Sequence, residues 1–407
     1  MNRERRQPRL LVLASTYPRW RDDHEPGFVH ELCKRLTRHF SVVVLTPHAP
    51  GAARRESLDG VDVRRFRYAP KRLQTLAYGG GMLANLRGAR WKWALLPGFL
   101  LAQCWEAWRI SREQRVDLVH AHWVLPQGVV AYLLCCLGAA PRYALTAHGA
   151  DLHGLRAAWA LALKRRVIRG AKGLSAVSAA LRDEARALVP EGPCAQVIPM
   201  GADLSGRFVP ATGFVRRVDE LLFVGRLVEK KGVACLLEAF QIVHAMQPHL
   251  RLRVVGHGPL AVPLQTRALE LGLAGVVTFV GPLPSVALPP LLQAAALLVV
   301  PSVRDAGGDQ EGVPVVLMEA IGCACPLIAS DLPGIRDLVG DALAESMLVP
   351  PGDARALAAA ITRVLADASR AEEFAVALRQ RCIERIDWGP VANAYAQWLS
   401  AALQSTH

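Results

Sequence analysis

Two glutamates eight residues apart, Glu311 and Glu319, close the ends of the segment Glu-Gly-Val-Pro-Val-Val-Leu-Met-Glu. Pro314 suits the first turn of a helix, where its missing N–H costs nothing. That puts Glu311 in a loop and Glu319 on the helix, about 7.5 Å of rise beyond Pro314. Backbone N–H groups from Gly312 and Val313 to Val316 then lie beside both carboxylates, a setting that binds phosphate. Carboxylates at two depths can hold hydroxyls of two rings, a transferred sugar and a ribose. A helix cap would explain Glu311 alone, but not the polar run Asp305 to Gln310 before it. The segment Gly225-Arg226-Leu-Val-Glu-Lys-Lys231-Gly232 supplies fixed cations just ahead of another helical pattern. A diphosphate leaving group gains charge as its bond breaks, and Arg226 and Lys231 are suited to meet it. The alternative is a solvated charged turn. Only seven of the 48 basic residues are lysine, so the adjacent pair Lys230-Lys231 favours the functional reading.

The histidines divide differently. His148 opens His-Gly-Ala-Asp151 at the end of an apolar run, either as a core histidine satisfied by backbone or as a group facing a ligand. His120 and His122 alternate onto one face of a strand, but two imidazoles without a third ligand make a poor metal site. Asp-x-Asp, the usual carboxylate device for a metal-bound sugar diphosphate, is absent. No metal and no resident cofactor are therefore expected.

Short apolar runs alternate with helical patterns along the chain, the signature of parallel sheets wrapped by helices. In the first half the runs are 10–15, 42–46, 61–66, 117–120, 143–147, 174–177 and 196–199. Between them Phe28, Leu32 and Leu36 recur at helical spacing, as do Val129, Leu133 and Leu137. The rhythm breaks over 205–219, rich in arginine and holding Gly206, Pro210 and Gly213, which reads as a linker. A second series follows at 221–224, 252–255, 276–280, 297–300, 327–329 and 347–349. The expected organisation is an α/β N-terminal domain (1–204, joined by a final helix, 388–407) and a C-terminal domain at 220–387. Ligands of open parallel sheets bind beyond the carboxyl ends of strands. The unusual residues cluster at those ends, which predicts two crescents of loops facing a cleft.

A hydrophobic fraction of 52% argues for two cores and against disorder. Nine scattered cysteines without a C-x-x-C pair read as buried thiols in a reducing compartment. Net charge is +13, yet no RNA-binding signature accompanies it, so nucleic acid is not an expected partner. Within 79–112, Arg87, Arg90, Lys92 and Arg109 flank Trp91, Trp93, Trp105 and Trp108, which suits either an anionic membrane interface or an amphipathic helix packed on the domain. The apolar runs near the N-terminus and at 93–108 are too short for a signal peptide or a spanning helix.

Taken together, these motifs resemble glycosyltransferase family 4, retaining enzymes of the GT-B fold with two Rossmann-like domains. The resemblance rests on Glu311-x7-Glu319, on Gly225-Arg226-Leu through Lys231-Gly232, and on His148-Gly-Ala-Asp151. Val255-Gly-His-Gly-Pro259 and Pro199-Met-Gly-Ala-Asp203 support it. Tyr17-Pro-Arg-Trp and the Gly-Asp-Gln-Glu-Gly run are similar to the exopolysaccharide and colanic acid branch. The resemblance implies transfer of a hexose from a nucleotide sugar to a glycan or polyprenyl-linked saccharide. The cysteines and the segment 79–112 give the expected location, cytoplasmic with peripheral contact to the inner face of the plasma membrane. Catalytic roles would fall to His148, Arg226, Lys231 and Glu311. Donor contacts would come from these C-terminal residues and from Gly27, Gly256, Gly258, Gly312, Val313 and Glu319. Where the family often has two adjacent glycines, Pro26 precedes Gly27 here, implying a stiffer phosphate-facing turn. The rivals are a nucleotide-sugar epimerase on the same fold and a non-catalytic assembly protein.

Overall fold

A computed structural model describes residues 6–21, 23, 25, 27–79, 81–211 and 216–405. Pro26 and Gly213 lie outside the described residues. The chain divides into two compact units, Met1–Ile198 with Val391–His407, and Pro199–Pro390. The division falls at Ile198/Pro199 rather than after residue 204, so 205–219 lies within the second unit. Arg216 shows why: its guanidinium donates to the carbonyls of Leu292 (3.1 Å), Gln293 (3.0 Å) and Ala324 (2.6 Å), all in that unit.

The first unit is an eight-stranded sheet. Its strands are β1 (Arg9–Leu13), β2 (Ser41–Pro47), β3 (Arg55–Leu58), β4 (Val61–Phe66), β5 (Leu118–His122), β6 (Tyr143–Ala147), β7 (Gly173–Ala176) and β8 (Ala195–Val197). They lie in the order β3-β4-β2-β1-β5-β6-β7-β8. All neighbours are parallel except β3 with β4. Strands covered on both faces read as unbroken apolar runs, and Leu10 through Leu13 are completely buried. Edge strand β3 has no such run and escapes sequence reading. Its turn is nonetheless explicit: Asp59 and Gly60 take φ of 49° and 85° between paired Leu58 and Val61, the Asp-Gly hairpin turn.

The second unit holds β9 (Glu220–Val224), β10 (Arg251–Val255), β11 (Val277–Gly281), β12 (Leu297–Val300), β13 (Leu327–Ser330) and β14 (Leu348–Val349). These six form a parallel sheet in the order β11-β10-β9-β12-β13-β14. Its core joins Leu221, Phe223, Val254 and Val299 to Leu236, Phe240 and Ile361 on the covering helices. Each such buried side chain contributes about 1.5–3 kcal/mol relative to exposure. In each unit the strand order reverses beside one strand, β1 between β2 and β5 and β9 between β10 and β12. Ligand loops of open sheets gather at such switch points.

One helix departs from expectation in facing. In Gln127–Cys136 the buried side is Val130, Ala131 and Leu134. Leu133 and Leu137, expected on the core stripe, are exposed. A helix apolar on every side carries no periodic signal to separate inside from outside. Within Leu95–Gln114 the buried side is Phe99, Gln103, Ala107 and Ile110, while Leu101 and Trp105 are 72% and 62% exposed. Pro97-Gly98 sits in its first turn, where proline is tolerated. Among the described residues no helix is long and apolar enough to cross a membrane. The last helix, Trp388–Gln404, joins the first unit from Val391 rather than from residue 388: Tyr395 donates to the Ile198 carbonyl (3.1 Å), and Trp398 lies against Gly173.

Candidate active site

In the second unit the charged residues singled out from sequence converge at the carboxyl ends of β9 and β12. The 3₁₀ turn Glu229–Lys231 follows β9, and the polar loop 301–314 follows β12. The two are laced by backbone, with Val303 N–H donating to the Lys230 carbonyl (2.9 Å). Ala306 N–H donates to the Glu229 carboxylate (2.9 Å). Asp305 orders the loop from within, accepting from the N–H groups of Gly307 (2.9 Å) and Asp309 (2.8 Å). Gly232 begins the next helix with φ of 68°, and a Cβ there would fall 1.8 Å from the Pro301 carbonyl oxygen. No other residue fits that approach.

This lacing builds a nearly buried cluster of ion pairs. Lys231 Nζ lies 3.2 Å from Glu311 Oε2. Lys230 Nζ lies 3.0 Å from Asp309 and 3.5 Å from Glu311 Oε1. Burial alone would raise the Glu311 carboxyl, but Lys231, Lys230 and Arg226 outweigh it and hold the group at about 2. Glu311 therefore stays ionised. Burial draws Lys231 below its ordinary range against the opposing pull of Glu311. Arg226 acts on both charges, so it belongs to the same cluster. Lys230 and Asp309 were missing from the sequence-derived site, although the scarcity of lysine had marked Lys230.

The helix after Glu311 spans Val315–Gly322, one residue later than expected. Pro314 is its N-cap with an extended backbone (ψ 130°) rather than its first helical residue. Gly312 and Val313 lie in the bend between Glu311 and that cap. Glu319 is on the helix and buried, and it stands apart from the lysines. Desolvation raises its carboxyl to about 7, opposed only by Arg207. Gly256 and Gly258 follow β10, and their lack of side chains serves loop packing. A Cβ at Gly256 (φ 140°) would sit 1.8 Å from the Gly225 carbonyl oxygen, and one at Gly258 would sit 2.4 Å from that of Leu227. The Gly225-Arg226 and Gly256–Gly258 loops thus press against each other, with Leu227 N–H donating to the His257 carbonyl (2.8 Å).

The first unit gathers a second group at the ends of β1, β5 and β6. Gly27 begins the helix Phe28–Leu36 with an unstrained backbone (φ −91°). Phe28 lies 5.4 Å from the His148 ring, and Trp123 lies 4.9 Å from it. Trp123 takes φ of 75°, a left-handed conformation that a bulky residue adopts only when its surroundings impose it. Buried Asp151 imposes much of this. Its carboxylate accepts from the backbone N–H groups of Val124 (2.8 Å), His148 (3.0 Å) and Gly149 (2.9 Å), pinning both loops. Lys164, also buried, donates to the carbonyls of Leu152 (2.8 Å) and Gly154, closing the turn after Asp151. Burial lowers the His148 imidazole to about 3, so it is neutral. His122 and His148 share a hydrogen bond of 2.9 Å.

Two family models account for most of the chain. Glycosyltransferase Family 4 matches residues 28–205, and Glycosyl transferases group 1 matches residues 210–385. The chain is 31% identical over 306 residues to a glycogen synthase of Mycobacterium tuberculosis, covering 72% of this chain and 70% of that one. The chain belongs to glycosyltransferase family 4. Other relatives include the amylovoran biosynthesis glycosyltransferase AmsK of Erwinia amylovora, 35% identical over 35% of each chain. The putative teichuronic acid biosynthesis glycosyltransferase TuaC of Bacillus subtilis is 33% identical over 62% of each chain. The matched stretches thus span about a third of AmsK and under two thirds of TuaC. Among solved structures, sucrose-phosphate synthase from Thermosynechococcus elongatus matches with a TM-score of 0.76 at 23% identity, covering 97% of this chain and 98% of that one. HepE from Anabaena, solved with UDP and glucose, matches at 0.73 and 18% identity over 97% and 99%. The family 4 chain has the GT-B class of fold, mixed α/β with two parallel-sheet units.

Proposed function

We propose that this family 4 protein is a retaining glycosyltransferase. It moves a hexose from a nucleoside-diphosphate sugar to a glycan or lipid-linked saccharide during exopolysaccharide synthesis. The observation that carries this reading is the cluster of Arg226, Lys230, Lys231 and Glu311 at the sheet's switch point. Arg226 and Lys231 supply the counter-charge for a departing diphosphate, in place of a metal ion. Glu311, kept ionised, accepts from sugar hydroxyls, and Glu319 accepts from those of the ribose. Gly27 gives its backbone on the phosphate side, and His148 lies by the transferred sugar. The biosynthetic names of AmsK and TuaC, and the UDP and glucose held by HepE, support the substrate class.

Thermal shift against UDP-, GDP-, ADP- and dTDP-sugars tests the donor. One of the four is expected to raise Tm by about 5–10 °C at a hundredfold excess over its Kd, since a ligand bound only by the folded state stabilises it by about 2.7 kcal/mol. No shift with any of them overturns the reading. Interconversion of the donor without an acceptor replaces it with an epimerase.

The same proposal includes peripheral contact of the first unit with the inner face of the plasma membrane. Support comes from exposed Trp91, Trp93, Leu101 and Trp105, with exposed Arg90 and Arg109 beside them. Tryptophan and arginine together suit an anionic headgroup layer. Co-sedimentation is expected with phosphatidylglycerol vesicles but not with phosphatidylcholine vesicles. The Leu101→Ala/Trp105→Ala variant should bind at least ~10-fold more weakly, each side chain contributing about 1.5–3 kcal/mol when buried. Equal binding to both vesicle types removes the anionic headgroups from the proposal, and binding to neither removes the membrane.

A further inference from the structure

Imidazoles at the ends of β5 and β6, with hydroxyls on β6 and β7, form a polar stripe across the first unit's sheet. His120, His122, Thr146 and Ser175 are all buried, and His122 stands opposite Thr146 in the strand register. His122 Nδ1 and His148 Nε2 lie 2.9 Å apart with the rings nearly parallel, so a single proton sits between them. On the far side of its ring, His122 Nε2 is shut off from solvent and meets no partner among the described residues.

Two arrangements of protons satisfy that contact. In one, His148 Nε2–H donates to His122 Nδ1, and His122 must carry its own proton on Nε2 as a buried N–H with no acceptor. In the other, His122 Nδ1–H donates to His148 Nε2, and His122 Nε2 is a bare lone pair. An orphaned buried donor is rarer and costlier than an orphaned acceptor. The second arrangement is therefore favoured. Burial keeps all three imidazoles neutral, with His120 and His148 drawn down to about 3 and His122 well below its usual range, which excludes the doubly protonated forms. The same rule orders the neighbouring stripe. His120 Nδ1 is also sealed and unpartnered among the described residues, so His120 Nε2–H donates to Thr146 (2.8 Å). The Thr146 hydroxyl then donates to Ser175 (2.7 Å), and Ser175 to the Leu145 carbonyl.

We propose that His122 is a positioning residue that fixes the tautomer of His148, so that His148 turns an Nδ1–H donor, not a bare nitrogen, toward its ligand. His148 Nε2 is occupied as an acceptor, and a neutral ring then carries its proton on Nδ1. That atom recognises a lone pair, as on a sugar hydroxyl oxygen, and cannot serve as a general base, because it already carries its proton and the ring is drawn down to about 3. Phe28 and Trp123 wall the ring, and Asp151 holds its backbone, so the donor has one direction. The tautomer follows from the contact between the two rings, the sealed His122 Nε2 and the neutrality that burial imposes; its part in transfer rests on the reading that His148 meets the transferred sugar.

Long-range proton–nitrogen correlation on the full chain with ¹⁵N-labelled histidine reads the tautomer directly, and the His148→Gln variant assigns the signals. Wild type is expected to show His148 protonated at Nδ1. His122→Asn, whose amide can place a donor where Nδ1 was, should keep that pattern, and His122→Leu should shift it toward Nε2–H. A wild-type signal for Nε2–H, or no change in His122→Leu, overturns the proposal. Turnover should fall by up to ~10-fold in His122→Leu, the scale of one lost hydrogen bond, and recover in His122→Asn. A shifted tautomer with unchanged turnover overturns the positioning role and locates the failure in the assignment of His148 to the sugar.

Discussion

Lys231→Ala and Glu311→Gln are each expected to lower sugar transfer at least ~100-fold, the scale of a lost charge-stabilising group. The two variants should differ in how they fail. Lys231 lies 3.2 Å from Glu311, so without a ligand the carboxylate occupies the cation that a diphosphate would claim. Removing Lys231 takes away phosphate binding itself, and the free nucleoside diphosphate should bind more weakly. Removing the Glu311 charge frees Lys231 and Lys230, so the free diphosphate should bind as well or better while turnover falls. Stability should separate them too. Breaking a buried ion pair costs about 3–5 kcal/mol when one charge is stranded. In Lys231→Ala the Glu311 carboxylate keeps Lys230 at 3.5 Å, so the loss should stay below that range. Near-normal turnover in both variants, measured at saturating donor, would remove the cluster from the leaving-group role.

The second large effect concerns Glu319. Its carboxyl, ordinarily near 4.5, is raised by burial to about 7. Between those values the folded protein holds a proton that the unfolded chain releases. The stabilising contribution is then complete below pH 4.5 and lost as pH rises through 7. The difference corresponds to about 3 kcal/mol. Glu319→Gln keeps the shape and removes the charge. Its unfolding free energy in urea should match wild type near pH 4.5 and exceed it by about 3 kcal/mol at pH 8.5. Parallel curves for the two proteins would show that the carboxyl is not held up by burial. If Glu319 grips the ribose as an ionised acceptor, nucleotide affinity in wild type should rise with pH through 7. The more stable Gln variant should lose that dependence along with affinity, the usual exchange of stability for function at a site.

Much of this protein is readable from its residues in order. Parallel strands buried on both faces must be short apolar runs, so thirteen of the fourteen strands among the described residues are legible in sequence, as are the loops at their carboxyl ends where Arg226, Lys231, Glu311 and His148 fall. The missing strand, Arg55–Leu58, is an edge hairpin arm whose burial alternates weakly, and only its Asp59-Gly60 turn announces it. Sequence alone determined the elements and the chemistry on offer, because period, turn residues and side-chain type are local properties. Tertiary structure decided what those groups became. Lys230 meets Asp309 across 79 positions, His122 meets His148 across 26, and no local pattern encodes either pairing. Leu133 and Leu137 turned outward because packing, not periodicity, chooses the inner face of an all-apolar helix. Burial likewise drives Glu311 and Glu319 apart, one held near 2 by the cations beside it and the other raised to about 7 without them. Two identical side chains eight residues apart acquire opposite protonation behaviour from their surroundings, and those surroundings exist only once the sheet has brought its loops together.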